Sequence, residues 1–570
     1  MIDYFAHVSA LHVSHGAIAN SPLASQKPVS EALSAVSAQP GSAILGALVD
    51  HLLQYAQAPT SVEIGLLKKT ATVFAEARTM LNKLAAVRLS LETSMAAPTA
   101  PGALAAYNAA ASELPAIATD FQNLTAKFQT LQAGFPNNWL APVGQQLNQP
   151  VAEWAWRDVF LGRRTTAFVA KTQELATTTR GKAFAFGAFA GAAGNLIGSA
   201  YLNSVVGGPR RSHTLRHRLS AYSVGAWLRD HEPQYAGTLA DIRSALLFGQ
   251  SGTPALPSDL KALLQAALQQ SYPSGTPALP NLETGYTHLL EHLGLLGDFS
   301  LPAAPAPPNN TVAGNIVTQG LTLGSNSLLL QNVASNTTSF GQNTPLIGSH
   351  ESAAGVCEQI LVWLAIPIFS WIYSIDVALG GGQGATGSPD LSSTGDLVTL
   401  SQSPTGLSGI NSLYSLALNA WQALAAARTV MVLRGLLYPD NDDLNNPTFT
   451  QFLSIPSDTK NYPLLAMPSS DDGTSYPTSG LETPPTSSSP FAFGAKPQIF
   501  LNGSANASVL ALSSTMWEDM NLYPGSDRPW SGNHDLDADR GAGALCWALA
   551  PGASITSLPV NITNLAYSAI

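Results

Sequence analysis

Apolar residues recur every three or four positions through the Ala-rich residues 31–135. The run from 64 to 95, IGLLKKTATVFAEARTMLNKLAAVRLSLETSM, is the clearest case, and this period predicts an amphipathic helix. The stretch 98–115, PTAPGALAAYNAAASELP, predicts a break before the next helix. That helix is predicted to end near Ala133, because Gly134 and Pro136 follow it. The pattern therefore predicts a helical bundle in the N-terminal half.

A further helix is predicted over residues 183–206, a stretch with no charged residue. Its glycines recur at three- or four-residue spacing and would let another backbone approach closely; they are Gly187, Gly191, Gly194 and Gly198. Packed membrane helices show the same spacing. Because the stretch also holds Asn195, Ser199, Asn203 and Ser204, a buried helix of a folded domain is the favoured interpretation.

The pattern changes after residue 300. The proline-rich stretch LPAAPAPPNNTVAG predicts a domain boundary between a helical domain, 1–300, and a low-charge C-terminal domain, 301–570. In the second domain we expect apolar helices near 356–378 and 408–437, followed by a loop-rich end with short strands. The fold class predicted for the whole chain is therefore mainly α.

Residues 359–375 are the most hydrophobic segment of the chain. They just reach the length needed to cross a bilayer. Membrane spans usually have more Lys and Arg on their cytoplasmic side. Because no Lys or Arg flanks this segment, a buried core helix is favoured.

Charged residues make up only 11% of the 570 residues, against about 25% in ordinary domains. A surface with so few charges is typical of secreted proteins, large assemblies and proteins that contact a membrane. The net charge of −10 argues against a nucleic-acid partner. The first 20 residues lack the pattern of a signal peptide, so we expect a cytoplasmic protein or one exported by a signal-independent route. Cys357 and Cys546 are expected to be free and buried, with one disulfide as the alternative.

Residues 187–217 read GAFAGAAGNLIGSAYLNSVVGGPRRSHTLRH. The spacing and the VVGGP-x-R-x-H-x-x-R-H tail resemble the bacterial zinc-dependent phospholipase C family, and the resemblance implies that family's helical fold for residues 1–300. Laid on the family's pattern, the zinc ligands His, Asp and His fall on Gly191, Asn195 and Ser199. A following ligand pair, His and Glu, falls on His217 and Ala221, and His7 lies where the family has its first ligand.

Only the histidines of these positions are good zinc ligands. Glycine and alanine offer no ligand atom, and neutral Asn or Ser binds zinc poorly. A catalytic zinc needs about three protein ligands and an open position for water. The resemblance therefore implies the family's fold but argues against its zinc-dependent hydrolysis. We expect the protein to bind no cofactor, and zinc or calcium are the alternatives.

The sequence HLLEH, at 288–292, resembles the zinc-binding helix of inverted zinc peptidases. His288 and His292 would be ligands and Glu291 the general base. No third ligand follows downstream, so histidines on a helix surface or interface are the favoured alternative.

Near the C-terminus, Asp535, Asp537 and Asp539 alternate as at the start of a calcium-binding loop. The glycine comes one place late, and Cys546 stands where the closing Glu should be. A turn with a salt bridge to Arg540 is therefore favoured over a calcium site.

Four arginines stand out in a chain this poor in charge: Arg210, Arg211, Arg216 and Arg218. They could bind a phosphate head group or a partner's carboxylates. The favoured alternative is that they cap helices and pair with Asp230 and Glu232.

Three functions remain open at this point. The first is a non-catalytic, phospholipase C-like protein that acts by binding or assembly, as a structural component or cargo of a larger particle or in contact with lipid. The second is a zinc-dependent phospholipase or phosphoester hydrolase with a rearranged site. The third is a membrane-inserting toxin or effector. A protein partner or an assembly is expected, and a membrane lipid is the alternative partner.

Overall fold

The computed structural model describes most of the first 307 residues and shorter parts of the remainder. The described residues are 2–133, 151–162, 164–206, 210, 214–248, 254–272, 276–307, 391–402, 404–433, 435–445, 462, 464, 509–510, 513, 517, 545–546 and 560–561. Several predicted features lie outside them: Arg211, Cys357, the segment 359–375, the side chain of Arg216, and Asp535, Asp537 and Asp539.

The described part is mainly α-helical, which confirms the predicted class. The helices are α1 (Tyr4–Ala19), α2 (Lys27–Ala38), α3 (Pro40–Ala47), α4 (Val49–Tyr55), α5 (Ala58–Ala96), α6 (Ala103–Ala133), α7 (Trp156–Gly162), α8 (Thr165–Leu175), α9 (Thr179–Val206), α10 (Thr214–His231), α11 (Pro233–Ala236), α12 (Leu239–Ala245), α13 (Ser258–Ser271), α14 (Leu282–Leu296), α15 (Thr394–Gln402), α16 (Pro404–Leu433) and α17 (Asn441–Asn445). Short 3₁₀ helices cover Pro22–Ser25 and Val151–Glu153. Strands β1 (Leu545–Cys546) and β2 (Val560–Asn561) pair antiparallel, with Leu545 opposite Asn561.

Contacts divide the chain into two units. The first comprises Met1–Ile64, Leu140–Gly297 and Arg434–Ile570, and the second comprises Gly65–Trp139 and Asp298–Leu433. The grouping is not linear, because each unit combines stretches that are distant in the sequence. The division into domains 1–300 and 301–570 stays a prediction.

Helix α9 is central to the first unit, where it packs against α1, α2, α3, α8, α10 and α13. Its glycines permit the close approach that the sequence predicts: a Cβ on Gly187 would overlap the backbone carbonyl of Ala43 in α3. Residues 183–199 of α9 are buried. Among the described helices, none combines the length and the hydrophobicity that crossing a bilayer requires.

The second unit contains α6, α15, α16 and most of α5. Phe74 and Phe299 pack edge to face with ring centroids 5.1 Å apart, and Asn108 exchanges two hydrogen bonds with the backbone of Leu391. The break predicted over 98–115 is shorter than expected, because α6 begins at Ala103 and continues through Pro115. The buried residues Ala111 and Ile117 flank this proline and offset the backbone hydrogen bond that it lacks. The structure describes α6 as far as Ala133, the last described residue before 151, so the helix end expected there stays a prediction.

Candidate metal centre

His7 of α1 and the adjacent residues Asp50 and His51 of α4 form a buried cluster in the first unit. One ligand atom of each lies within 4.8 Å of the other two. His7 is 0% exposed, Asp50 1% and His51 4%. The Nε2 atom of His7 lies 3.1 Å from Oδ2 of Asp50. Two imidazoles and one carboxylate thus meet in the interior.

The starts of α1 and α4 determine where the backbone places these three residues. Asp3 is the N-cap of α1 and accepts hydrogen bonds from the backbone N–H groups of Phe5 and Ala6. Leu48 separates α3 from α4, so that Asp50 lies in the first turn of α4, where the helix dipole favours a negative charge. The centre is therefore built from two helix N-terminal regions.

Both carboxylate oxygens of Asp50 accept hydrogen bonds. Its Oδ1 accepts the backbone N–H of His51 (2.8 Å), and its Oδ2 accepts from Asn195 Nδ2 (3.0 Å) and from His7 Nε2. Burial alone would raise the pKa of Asp50, but the two histidines and these hydrogen bonds outweigh burial and hold the pKa below its usual range. Asp50 is therefore ionised at neutral pH, as a metal ligand must be.

The same hydrogen bonds assign the proton on each imidazole. His7 donates from Nε2 to Asp50, and His51 donates from Nε2 to the carbonyl of Ile2 at 3.2 Å. The Nδ1 atoms of both rings are buried with no hydrogen-bond partner among the described residues. Burial is also the main reason why the pKa of His51 falls from 6.5 to about 3, which keeps this ring neutral.

The positions that the phospholipase C resemblance assigns to zinc ligands do not fit a metal. Gly191 packs against the backbone of Ala47 in α3, and Ala221 is buried without a ligand atom. Asn195 binds Asp50 and accepts the backbone N–H of Ile2, and Ser199 hydrogen-bonds to Asn195. These residues support the cluster of His7, Asp50 and His51, which has the donor set that fits.

The histidines of HLLEH have different partners. His288 Nδ1 lies 3.1 Å from the carbonyl oxygen of Tyr55. His292 is buried; its Nδ1 lies 2.8 Å from the hydroxyl of Tyr4, and its Nε2 lies 3.5 Å from Glu63 Oε1. His217, on α10, is also buried, and the cluster of His7, Asp50 and His51 does not include it. The pair predicted as ligands thus takes part in helix packing.

Two of the four prominent arginines form ion pairs inside the first unit. Arg218 binds both carboxylate oxygens of Glu63, and Arg210 pairs with Asp158. Burial would raise the pKa of Glu63, but Arg218 and His292 outweigh it and lower that pKa.

The sequence favoured pairing of the arginines with Asp230 and Glu232; for Arg210 and Arg218 the structure describes ion pairs with Asp158 and Glu63, and Arg211 and the side chain of Arg216 lie outside the described residues. Asp230 pairs with its neighbour Arg229, and Glu232 accepts from Gln234. The charges of Arg210 and Arg218 are instead balanced by Asp158 and Glu63, on other helices.

Sequence reasoning identified His7 but missed Asp50 and His51. The signal available was an adjacent Asp-His pair within the apolar run ILGALVDHLLQY. No protein-family model, curated protein or solved structure matches this chain. The cluster's own geometry is therefore the basis for a functional interpretation.

Proposed function

We propose that this protein binds one divalent transition metal through His7, Asp50 and His51, and that it is a non-catalytic protein acting by binding or assembly. The observation that carries the proposal is the buried cluster itself, in which one ligand atom of each residue lies within 4.8 Å of the other two. His7 Nε2 and Asp50 Oδ2, which are 3.1 Å apart, would bind the metal with loss of the proton between them. His51 would offer Nδ1, which is buried with no hydrogen-bond partner among the described residues; an unsatisfied buried polar atom costs about 1–3 kcal/mol, and a bound metal would satisfy it.

The donor set selects the class of metal. Imidazole nitrogens with one carboxylate suit zinc and related transition metals, whereas calcium takes six to eight oxygen ligands. Zinc is therefore the reference ion for this site.

Burial supports a structural role for the metal. None of the three ligands is more than 4% exposed, and they come from α1 and α4. A metal held there would fasten the N-terminal helix to the interior of the unit, because its binding free energy adds to folding. The proposal keeps the phospholipase C-like scaffold expected from residues 187–217, and the function would then lie in what the protein binds.

A zinc-dependent hydrolase of phospholipids or other phosphoesters is the second candidate. It is favoured by the number of ligands, since three protein ligands and one open position are the complement of a catalytic zinc. The zinc would supply a bound hydroxide near neutral pH. This candidate requires the centre to become accessible to substrate.

Zinc binding by the full-length protein tests the proposal. After treatment with a chelator, we expect the protein to take up one zinc per chain in competition with a chromophoric chelator. His7→Ala and His51→Ala should lose this uptake. His231→Ala is the matched control, because His231 is exposed and stacks on Trp227 of its own helix. Failure of the wild-type protein to bind zinc would overturn the proposal.

Two further measurements on the zinc-loaded protein separate the candidates. Light scattering should show an oligomer or a larger complex if the protein acts by assembly. Release of a chromogenic phosphodiester product that needs both zinc and Asp50 would instead establish the hydrolase.

A further inference from the structure

The Ile2–Asp3 segment, at the start of α1, contacts His7 and His51 directly and Asp50 through Asn195. The Ile2 carbonyl accepts from Nε2 of His51 at 3.2 Å, and the Asp3 carbonyl accepts the backbone N–H of His7 at 3.0 Å. The Ile2 N–H donates to Oδ1 of Asn195 (3.1 Å), whose Nδ2 donates to Asp50. His51 and His7 thus hydrogen-bond to the backbone of Ile2 and Asp3, respectively, and Asp50 is connected to the backbone of Ile2 through Asn195.

The side chain of Asp3 anchors this segment. Asp3 is 1% exposed, and besides capping α1 it accepts a hydrogen bond from the hydroxyl of Tyr438 at 2.8 Å. Its carboxylate lies against Gly225 of α10, where a Cβ would overlap Oδ2 of Asp3. The absence of a side chain at Gly225 therefore makes room for the carboxylate.

Ile2 is held from a second side by α9. Its side chain is 1% exposed and lies against Gly194 and Gly198, where added Cβ atoms would crowd its terminal carbon atoms. The segment is thus packed against α9 on one side and against Gly225 and Tyr438 on the other.

We propose that Asp3, Gly225 and Tyr438 are positioning residues for the metal centre, acting through the Ile2–Asp3 segment on His7, Asp50 and His51. This inference rests on the proposed metal binding. A carbonyl that accepts the second N–H of a histidine fixes which nitrogen faces the metal, and loss of such outer contacts typically weakens metal affinity about 10- to 100-fold. Gly225 and Tyr438 both contact the carboxylate of Asp3.

The decisive experiment compares Gly225→Ala with Gly16→Ala in the full-length protein. Both glycines lie in helices of the first unit, and both changes gain helix propensity, but a Cβ at Gly16 meets nothing within 4 Å. We expect Gly225→Ala to weaken zinc binding about 10- to 100-fold and Gly16→Ala to leave it unchanged. Tyr438→Phe keeps the ring that stacks on Tyr222 and should weaken zinc binding by a smaller factor.

Cobalt(II) provides a readout that a general loss of stability does not change. Bound to the wild-type protein, it should give a visible absorption spectrum that reports coordination geometry, and Gly225→Ala should alter the shape of this spectrum at saturating cobalt. Wild-type affinity and an unchanged spectrum in Gly225→Ala would overturn the inference, as would an equal loss in Gly16→Ala.

Two more outcomes are distinguishable. If Gly225→Ala does not fold, Tyr438→Phe decides the matter, and wild-type zinc affinity in that variant overturns the inference. If the wild-type protein binds neither metal, the proposed function fails together with the inference.

Discussion

The imidazole of His7 and the carboxylate of Asp50 are 43 residues apart in the sequence and 3.1 Å apart in the fold, and neither side chain is more than 1% exposed. A carboxylate this deeply buried is stable only when its oxygens have donors. Asn195 and the backbone of His51 supply two of them, so His7 completes the set.

Asp50→Asn removes this buried charge and places an amide among three donors. We expect the metal-free protein to lose about 3–5 kcal/mol of unfolding free energy, as when one partner of a buried pair is removed, measured by urea unfolding at pH 7. Asp259→Asn is the control, because Asp259 forms a half-exposed pair with Arg180 that contributes at most about 1 kcal/mol. Equal losses in the two variants would contradict this account of Asp50.

Helix periodicity predicted much of the described fold. The period over residues 64–95 depends on local chemistry alone and agrees with helix α5. Pro115 was misread as part of a break. The helix continues through it because the nearby residues Ala111 and Ile117 are buried, and their packing offsets the hydrogen bond that proline cannot donate. Such packing is a tertiary effect that the local sequence does not reveal.

The candidate site was less accessible to sequence reasoning. The pair His288 and His292 has a recognisable spacing, but Tyr55 and Tyr4 determine what these rings contact. His7, Asp50 and His51 have no spacing motif, because the contact of α1 with α4 joins residues 43 positions apart. A long-range pairing of this kind leaves no local pattern to read.

Gly187→Ala tests the packing of α9 on α3. The added methyl group would overlap the carbonyl of Ala43, and a backbone atom cannot move aside as a flexible side chain does. We expect a loss of about 3 kcal/mol in unfolding free energy, measured by urea unfolding, whereas Gly16→Ala, which meets open space, should be neutral or stabilising. A stable Gly187→Ala protein would contradict this helix contact.

Trp517→Ala tests the docking of the C-terminal residues in the first unit. Trp517 is 3% exposed, and its ring lies 5.0 Å from Phe186 and 4.8 Å from Phe189 in α9. We expect a loss of about 3–5 kcal/mol and increased binding of a hydrophobic dye as α9 becomes exposed. Leu510→Ala, at a position that is 37% exposed, should change neither measurement, and equal effects in the two variants would argue against specific docking.

Asp3 and His51 are expected to act in opposite directions on stability below pH 6.5. Burial lowers the pKa of His51 from 6.5 to about 3, so the unfolded chain takes up this proton first and stability is lost as pH falls from 6.5 towards 3. Burial raises the pKa of Asp3 from 3.8 to about 6, although Tyr438 and the cap hydrogen bonds oppose it. Stability from Asp3 is therefore gained as pH falls from about 6 to about 4.

Asp3→Asn removes the opposing contribution and should make stability depend more steeply on pH. Between pH 4 and 6 we expect the unfolding free energy of the metal-free variant to fall faster than that of the wild-type protein, by about 1.4 kcal/mol per pH unit for the one proton involved. His292, whose pKa burial also lowers, acts in the same direction as His51 in both proteins and leaves this difference unchanged. Urea unfolding at several pH values measures the slopes, and parallel slopes would show that Asp3 does not retain its proton in the folded protein.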